Sequence, residues 1–498
     1  MIRYTPENQM TLEGFETPFN NSLSPDNRWV KLSEVVDWDK FAISYIKMMN
    51  AGFGRPGISP RIVLGALIIK HKENLDDRGT IYSIQENPYM QYFLGLKGFT
   101  TKPVFDPSLF VEIRKRIGSE IFDQLTIQLI QSLEPKRALN SDEDKEDNPP
   151  KNKGKLQMDA TVADQAISYP TDSNLLNTSR KKCEAIIDFL YELDGKKGTK
   201  PRTYRKKLDK AFLNYAKKKR KSKQIHRTMC RKLLEGLKRN LGHINTMLDK
   251  FEVFPLIHFD QRMLWIIGTL YDQQKQMFDT RSNSCKNRIV SIFQPHVRPI
   301  PRGKSKAQVE FGSKLGVSLD NGFARIDTLS WDAYSEGKDF VKQIENYHTL
   351  HGYYPELVQV DKAYHTRENR AYAKEKNIRL TAKSLGRKPK EKPTAYQKKK
   401  RKTEAAERNH IEGKFGQGKN GYRLNYIRAR IKETSESWIA CIFYVMNLIN
   451  YQKKYPSSSF FENICLLLTC LLPHNTITKW SMAYQNNFYG NYQLRFSS

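Results

Sequence analysis

The chain has 498 residues, with 84 Lys and Arg against 53 Asp and Glu and a formal net charge of +31. A hydrophobic fraction of 39%, with 25 Tyr and 25 Phe, excludes bulk disorder, and the length suits several domains around large cores. The basic excess calls for a polyanionic partner, while the absence of any run of about 18 uninterrupted apolar residues argues against a bilayer span.

The opening MIRYTPENQMTLEGF lacks the apolar core of a signal peptide. Residues 1–135 then read as an all-helical N-terminal domain for DNA binding or dimerisation. Ser59-Pro60 is a helix start, an N-cap followed by Pro in the first turn. IVLGALIIKH carries apolar residues on one helical face. Asp76 and Asp77 cap a second helix, and Pro107-Ser108 opens a third through LFVEIRKRIGSEIFDQLTIQLIQSL. Short helices and tight turns suit a helix-turn-helix-like module or a plain bundle, and no recognition helix stands out.

Residues 136–154 are polar, charged and Pro-containing, a linker. The strand LQMDATV follows and opens a domain running over 155–452. Residues 171–285 read as a long basic helical insertion. Between Arg180 and Lys250 there are 23 Lys or Arg and 7 Asp or Glu, a difference of +16. That excess is too large for alternating salt bridges on a solvated face, so the run with Lys217, Lys218, Lys219 and Arg220 is assigned to the phosphate backbone.

RIVSIF, QVEFGSKLGVSL and FARIDTLSW are β-branched or aromatic and read as strands, with Asn321-Gly322 as a hairpin turn between the last two. Residues 336–350 look helical, PELVQV is a short strand ending on Asp361, 367–376 look helical and IRLTA is another short strand. A basic stretch, Lys383 to Lys402, contains Lys398, Lys399 and Lys400 and leads into a helix carrying Glu412. The order implies an α/β mixed sheet, its first three strands antiparallel and its later ones alternating with helices. The tail 453–498 contains FFENICLLLTCLLP, apolar but broken by Glu462 and Asn463, a short buried helix. Six cysteines (183, 230, 285, 441, 465 and 470) form no CxxC pair and read as reduced cytosolic thiols, not a zinc site.

Three acids in this basic chain are out of keeping with a polyanion partner: Asp159 and Asp361 at strand ends and Glu412 on a basic helix. Phosphodiester chemistry gives them a use. Two Mg²⁺ ions about 3.5–4 Å apart neutralise the phosphate and activate an oxygen nucleophile, and Mg²⁺ takes hard oxygen ligands. A lone strand-end Asp is usually a turn former, so the conjunction of the three carries the weight. No Ser/His/Asp order with a nucleophile elbow, no Walker-type loop and no GxGxxG after a strand is present.

These segments resemble the bacterial insertion-sequence transposases with a DDE triad and a ribonuclease-H-like catalytic domain. MDATV, VDKAYHTRENR and RNHIEGKFGQGK carry the triad positions. Arg408, Glu412 and Lys419 keep the spacing of a Tyr-Arg-Glu-Lys signature, with Ala405 in place of its Tyr. SPRIVLGALIIKHK, IQENPYMQYFLGL and FDPSLFVEIRKRIG are similar to the N-terminal part of such enzymes. The resemblance implies a ribonuclease-H-like sheet with the insertion after its first strand. It implies Asp159, Asp361 and Glu412 as ligands of two Mg²⁺ or Mn²⁺ ions. Arg408, one helical turn before Glu412, would contact a phosphate or hold the glutamate, and Lys419 would hold DNA backbone. Tyr364 would stack on a base or pack the loop; His365 and His410 would contact phosphate or be exposed. The implied activity is metal-dependent cleavage and strand transfer at terminal inverted repeats, by a homodimer on DNA, in the bacterial cytoplasm at the nucleoid. A non-catalytic DNA-binding relic and a nuclease without strand transfer are the alternatives.

Overall fold

The computed structural model describes residues 22–47, 49, 57–132, 152–301, 309–381 and 394–455. Most of the 136–154 linker, residues 383–393 of the basic stretch, and the apolar segment of the tail lie outside the described residues. The chain divides into two compact units, one drawn from 1–110 and 444–498 and the other from 111–443.

In the first unit the described residues form short helices: α1 (Arg28–Val35), α2 (Trp38–Ile46), α3 (Pro60–Lys72), α4 (Asp77–Glu86) and α5 (Pro88–Phe93). Punctuation in the sequence sets their ends. Pro60 occupies the first turn of α3. Asp76 caps α4, its Oδ1 accepting from the Gly79 amide at 2.7 Å. Asn87 separates α4 from α5 by accepting from the Tyr89 and Met90 amides. The core gathers Trp29, Phe41, Leu64, Leu67 and Phe93, all nearly solvent-free. Lys70 is also buried, and its ammonium is satisfied by the Leu75 carbonyl at 3.1 Å and Asp77 at 2.8 Å.

The helix expected after Pro107-Ser108 is two helices, α6 (Leu109–Arg116) and α7 (Ser119–Gln131). Gly118 breaks them: it takes extended backbone at ψ 174° and serves as the N-cap of α7.

The second unit is built on a six-stranded mixed sheet: β1 (Lys155–Asp164), β2 (Arg298–Pro301), β3 (Val309–Asp320), β4 (Phe323–Ser330), β5 (Leu357–Gln359) and β6 (Arg379–Leu380). β3 lies antiparallel to β1, from Gln157 opposite Leu319 to Asp164 opposite Gly312. Its other edge carries β2 and then β4, both antiparallel. β5 is parallel to β1 and β6 is parallel to β5, with the crossovers made by α12 (Phe340–His351) and α13 (Arg367–Glu375), numbered in chain order. The β3–β4 turn is the expected Asn-Gly, with φ of 49° at Asn321 and 83° at Gly322.

One expected strand is absent. RIVSIF forms no strand, and pairing begins instead at Arg298. Ile289 and Ile292 sink together into the core of the helical insertion, while Val290 packs with Val297 and Trp331. An i,i+3 pair buried in one core cannot sit on the two-residue alternation of a pleat.

Between β1 and β2 stand α8 (Asp172–Leu193), α9 (Arg205–Lys217), α10 (Lys223–Leu248) and α11 (His258–Thr280). They surround a core of their own, including Ile187, Leu233, Leu237, Ile267 and Leu270. Arg180 is fully buried there and held by Glu184 at 2.6 Å, Asp209 at 2.5 Å and Asn177 at 2.8 Å. One face of the sheet buries Leu156, Met158, Val358 and Val360 against Phe340 and Ile344 of α12. The opposite face meets α14 (Ala395–Gly421): Gln157 donates to the Glu407 carbonyl at 2.8 Å and Gln359 to the Glu404 carbonyl at 3.1 Å. The last described helix is α15 (Lys432–Lys454).

Candidate active site

Alternation along β1 turns Leu156 and Met158 to the core and Gln157, Asp159 and Thr161 to the face that meets α14. On β5 the same alternation aligns Gln359 with Asp361, and Gln157 donates to the Gln359 side chain at 2.8 Å. This glutamine pair fixes the lateral register of the two strands where the aspartates follow. Pairing in β5 stops at Gln359, so Asp361 lies just past the strand. There it caps the turn Lys362–Tyr364, its Oδ1 accepting from the Lys362 amide at 2.7 Å.

On α14, Arg408, Glu412, Phe415 and Lys419 are spaced by four, three and four residues and share one face. That face lines a cavity of about 650 Å³ together with Asp159, Asp361, Lys314 and Glu336. The structure therefore brings Asp159, Asp361 and Glu412 to a single cavity. Arg408 joins two of them: its Nη2 donates to Glu412 Oε1 at 3.1 Å, and its Nη1 lies 3.8 Å from Asp159 Oδ2. It is more than an i,i+4 surface pair, since the second carboxylate comes from the sheet.

Asp159 has its carboxyl pushed up to about 6, chiefly by burial. The Ala160 amide, donating at 2.8 Å, and the Arg408 guanidinium pull the other way, while the charges of Glu336 and Asp361 push further upward. The cavity thus gathers four carboxylates beside Arg408, Lys314 and Lys419 in a chain of net charge +31.

Lys419 stands at the far end of the cavity and pairs with Glu310 at 3.3 Å and Asp164 at 3.6 Å. Lys217, Lys218, Lys219 and Arg220 are exposed where α9 ends and the loop to α10 begins. Lys399 and Lys400 are exposed at the start of α14, and the side chain of Lys398 lies outside the described residues. His410 is exposed, whereas His365 is 5% exposed, with burial lowering its pKa.

Base stacking by Tyr364 is ruled out by its position. The ring is 0% exposed in the core between the sheet and α12, and its hydroxyl meets no hydrogen-bond partner. The turn capped by Asp361 points the side chain inward, and burial raises its pKa. Two charged residues of the cavity escaped the sequence reading. Glu336 looks like an ordinary acid ahead of a helix, and Lys314 like an outward residue of a strand. Their meeting, at 3.0 Å, depends on how β3 and the turn after β4 pack.

Among the described residues no three His, Cys, Asp or Glu side chains stand close enough to hold an ion together. In chemical type, though, the cavity's acids are the hard oxygen donors that divalent magnesium takes. Their mutual repulsion at Asp159, balanced in part by Arg408, is the electrostatic condition a cation relieves.

The acid-lined cavity sits in a strongly basic chain, whose charge suits a polyanionic partner. Residues 17–116 match the family model described as Transposase domain (DUF772), and residues 358–449 match Transposase DDE domain. The second match includes Asp361 and Glu412, while Asp159 lies outside both. A protein of Rhizobium meliloti described as uncharacterized protein ORF8 in nfe locus is 29% identical over 157 residues, 31% of this chain and 69% of that protein. No solved structure matches the chain significantly. Two stretches of the chain are thus similar to transposase domains, and the second of them carries Asp361 and Glu412. Among the described residues no helix is long and apolar enough to cross a membrane.

Proposed function

We propose that the chain cuts the terminal inverted repeats of its own mobile element and joins the freed ends to target DNA. The reading rests on a divalent-cation site formed by Asp159, Asp361 and Glu412. The observation that carries it is convergence: acids that are 202 and 51 residues apart in sequence line one cavity of a basic chain. The strand order supports a ribonuclease-H-like sheet, with β1 to β4 joined by antiparallel pairings, two parallel strands after them and the insertion after the first strand.

Magnesium or manganese, bound there as a pair, would neutralise the scissile phosphate and acidify a water molecule. The protein's own groups do the rest. Asp159 is ionised above about pH 6 and is then a full acceptor for a cation. Arg408 keeps Asp159 and Glu412 facing one another and presents a planar donor set to a phosphate. Water attack on one phosphodiester makes one P–O bond and breaks another, freeing a 3′-hydroxyl. That hydroxyl attacks a target phosphodiester in the same sense, so no covalent protein–DNA intermediate forms. Lys217, Lys218, Lys219 and Arg220 on the insertion, with Lys399 and Lys400, hold backbone phosphates. Two ends need two such sites, so the chain acts as a homodimer on DNA, within the bacterial cytoplasm.

The test is incubation of the purified chain with duplexes bearing the inverted repeats that flank its coding region. Nicked ends and joined strand-transfer product in Mg²⁺, both lost in EDTA, are expected. Nicking without joined product would make the chain a nuclease. Binding without nicking in Mg²⁺ or Mn²⁺ would make it a DNA-binding relic.

A further inference from the structure

The insertion keeps its basic charge and its exposed apolar side chains apart. Residues 201–248, which hold α9 and α10, carry 16 Lys or Arg against 2 Asp or Glu, a difference of +14. The stretches 182–200 and 249–260 carry 5 Lys against 7 Asp or Glu, a difference of −2. Contacts fold those two stretches against one another. Lys182 of α8 meets Asp260 at 2.8 Å and sits 5.2 Å from the centre of the Phe259 ring, and Lys250 meets Asp194 at 3.4 Å where α8 ends. The loop from α10 to α11 is therefore laid along the second half of α8. Leu256 is buried in the insertion's core and Phe251 packs on it, so the loop is pinned.

This leaves an apolar face in the open. Phe189 and Leu193 follow Lys182 by seven and eleven residues, on the same side of α8, and both are exposed. In the loop and the first turn of α11, Val253 is 81% exposed and Ile257 64%, with Phe254 and Phe259 exposed as well. These six side chains present on the order of 600 Å², the upper end of the roughly 300–600 Å² found for the largest apolar patch of a monomer. That area approaches the roughly 800 Å² that each partner gives to a stable interface. Phosphate is a poor partner for this face, because Glu192, Asp249 and Glu252 are exposed on the same two stretches.

We propose that this face joins two copies of the chain, the α8 stripe and the α10–α11 loop of one packing on those of the other about a two-fold axis. Two chains of net charge +31 repel one another, and a near-neutral apolar surface is where they approach at least cost. Exposed Lys196 and Lys197, with exposed Glu192, Asp249 and Glu252, put both signs at its rim, so the rim can pair with its own copy. The proposal gives a surface to the homodimer of the reading above, and rests on that reading for what the dimer does on DNA.

Sedimentation equilibrium of the full-length chain without DNA is the test. The wild type is expected to dimerise, and Phe254→Glu and Val253→Glu each to weaken the dimer about tenfold or more, because each places a charge in the apolar centre of the contact. Thermal melting identifies a variant that fails to fold, and Phe254→Ala, which weakens the dimer in the same direction, then carries the comparison. Affinity for a duplex with a single end is expected to persist in these variants, since Lys217, Lys218, Lys219 and Arg220 are untouched. Dimerisation unchanged in the folded variants overturns the proposal. A monomeric wild type overturns it too, and slow amide exchange at 253–259 in that monomer assigns the face to another segment of the same chain. If that monomer still nicks and joins ends, the strand-transfer reading survives. A dimer that the variants dissociate, in a chain that neither nicks nor joins ends, upholds the surface while that reading fails.

Discussion

Replacing Asp159 by Asn will make the metal-free protein more stable at neutral and alkaline pH, while removing its activity. The folded protein raises this carboxyl from 3.8 to about 6. At about 1.4 kcal/mol per pH unit, keeping it charged costs the folded state on the order of 3 kcal/mol. The sign follows from proton linkage. The native state binds the proton more tightly than the unfolded chain, so stability rises as pH falls from about 6 towards 4, and the full penalty stands above pH 6. Asn carries no charge and keeps an oxygen for the Ala160 amide, which now donates to Asp159 at 2.8 Å. The gain is trimmed by losing the Arg408 contact, which at 3.8 Å with Arg408 partly exposed is weak. A net gain of about 2 kcal/mol at pH 8 is expected, shrinking to nothing near pH 4. Hydrogen exchange of the β1 amides in EDTA reads this locally and avoids treating two units as one transition. Equal or lower protection of the Asn variant at pH 8 would refute the electrostatic account of the cavity.

Other outcomes follow from single contacts. Arg180→Met should unfold or loosen the insertion by about 3–5 kcal/mol, because Glu184 would remain buried without its partner; Glu184→Gln in that background should recover part of the loss in a denaturant titration. Tyr364→Phe removes a buried hydroxyl with no partner, so stability should hold or rise by about 1 kcal/mol and end nicking should persist. Loss of end nicking in that folded variant would give the buried hydroxyl a role that its lack of a partner denies. Changing Lys217, Lys218, Lys219 and Arg220 together to Ala should weaken binding to any duplex and reduce the slope of log affinity against log salt by about 3–4; an unchanged slope would take DNA off the insertion.

Much of this architecture is legible where local chemistry decides it. Pro60, Asp76 and the Asn321-Gly322 turn each settle a boundary by a single backbone requirement, and the structure shows each of them. The α/β mixed sheet follows in the same way, from alternation and turn residues. The misreadings lie where tertiary packing decides. RIVSIF has strand composition, but its isoleucines are claimed by the helical insertion. One long amphipathic pattern became α6 and α7 because the backbone turns extended at Gly118, which caps α7. Tyr364 follows Asp361 closely enough to look like a site residue, yet a one-turn helix rotates it into the core. Asp159, expected at a strand end, instead lies in the middle of β1, where the alternation with Leu156 and Met158 turns it to the cavity; Asp361 could be singled out as an acid just past a strand end in a basic chain. Glu336 could not, since acids ahead of helices are commonplace and only the Lys314 contact across the fold marks it.

The central claim is that Asp159, Asp361 and Glu412 act as one cation-dependent unit. The direct measurement is end nicking and joining by Asp159→Ala, Asp361→Ala and Glu412→Ala in Mg²⁺, on duplexes that each variant demonstrably still binds. The account predicts that all three bind the ends and that none cuts them. Full cleavage by any one of the three would contradict it.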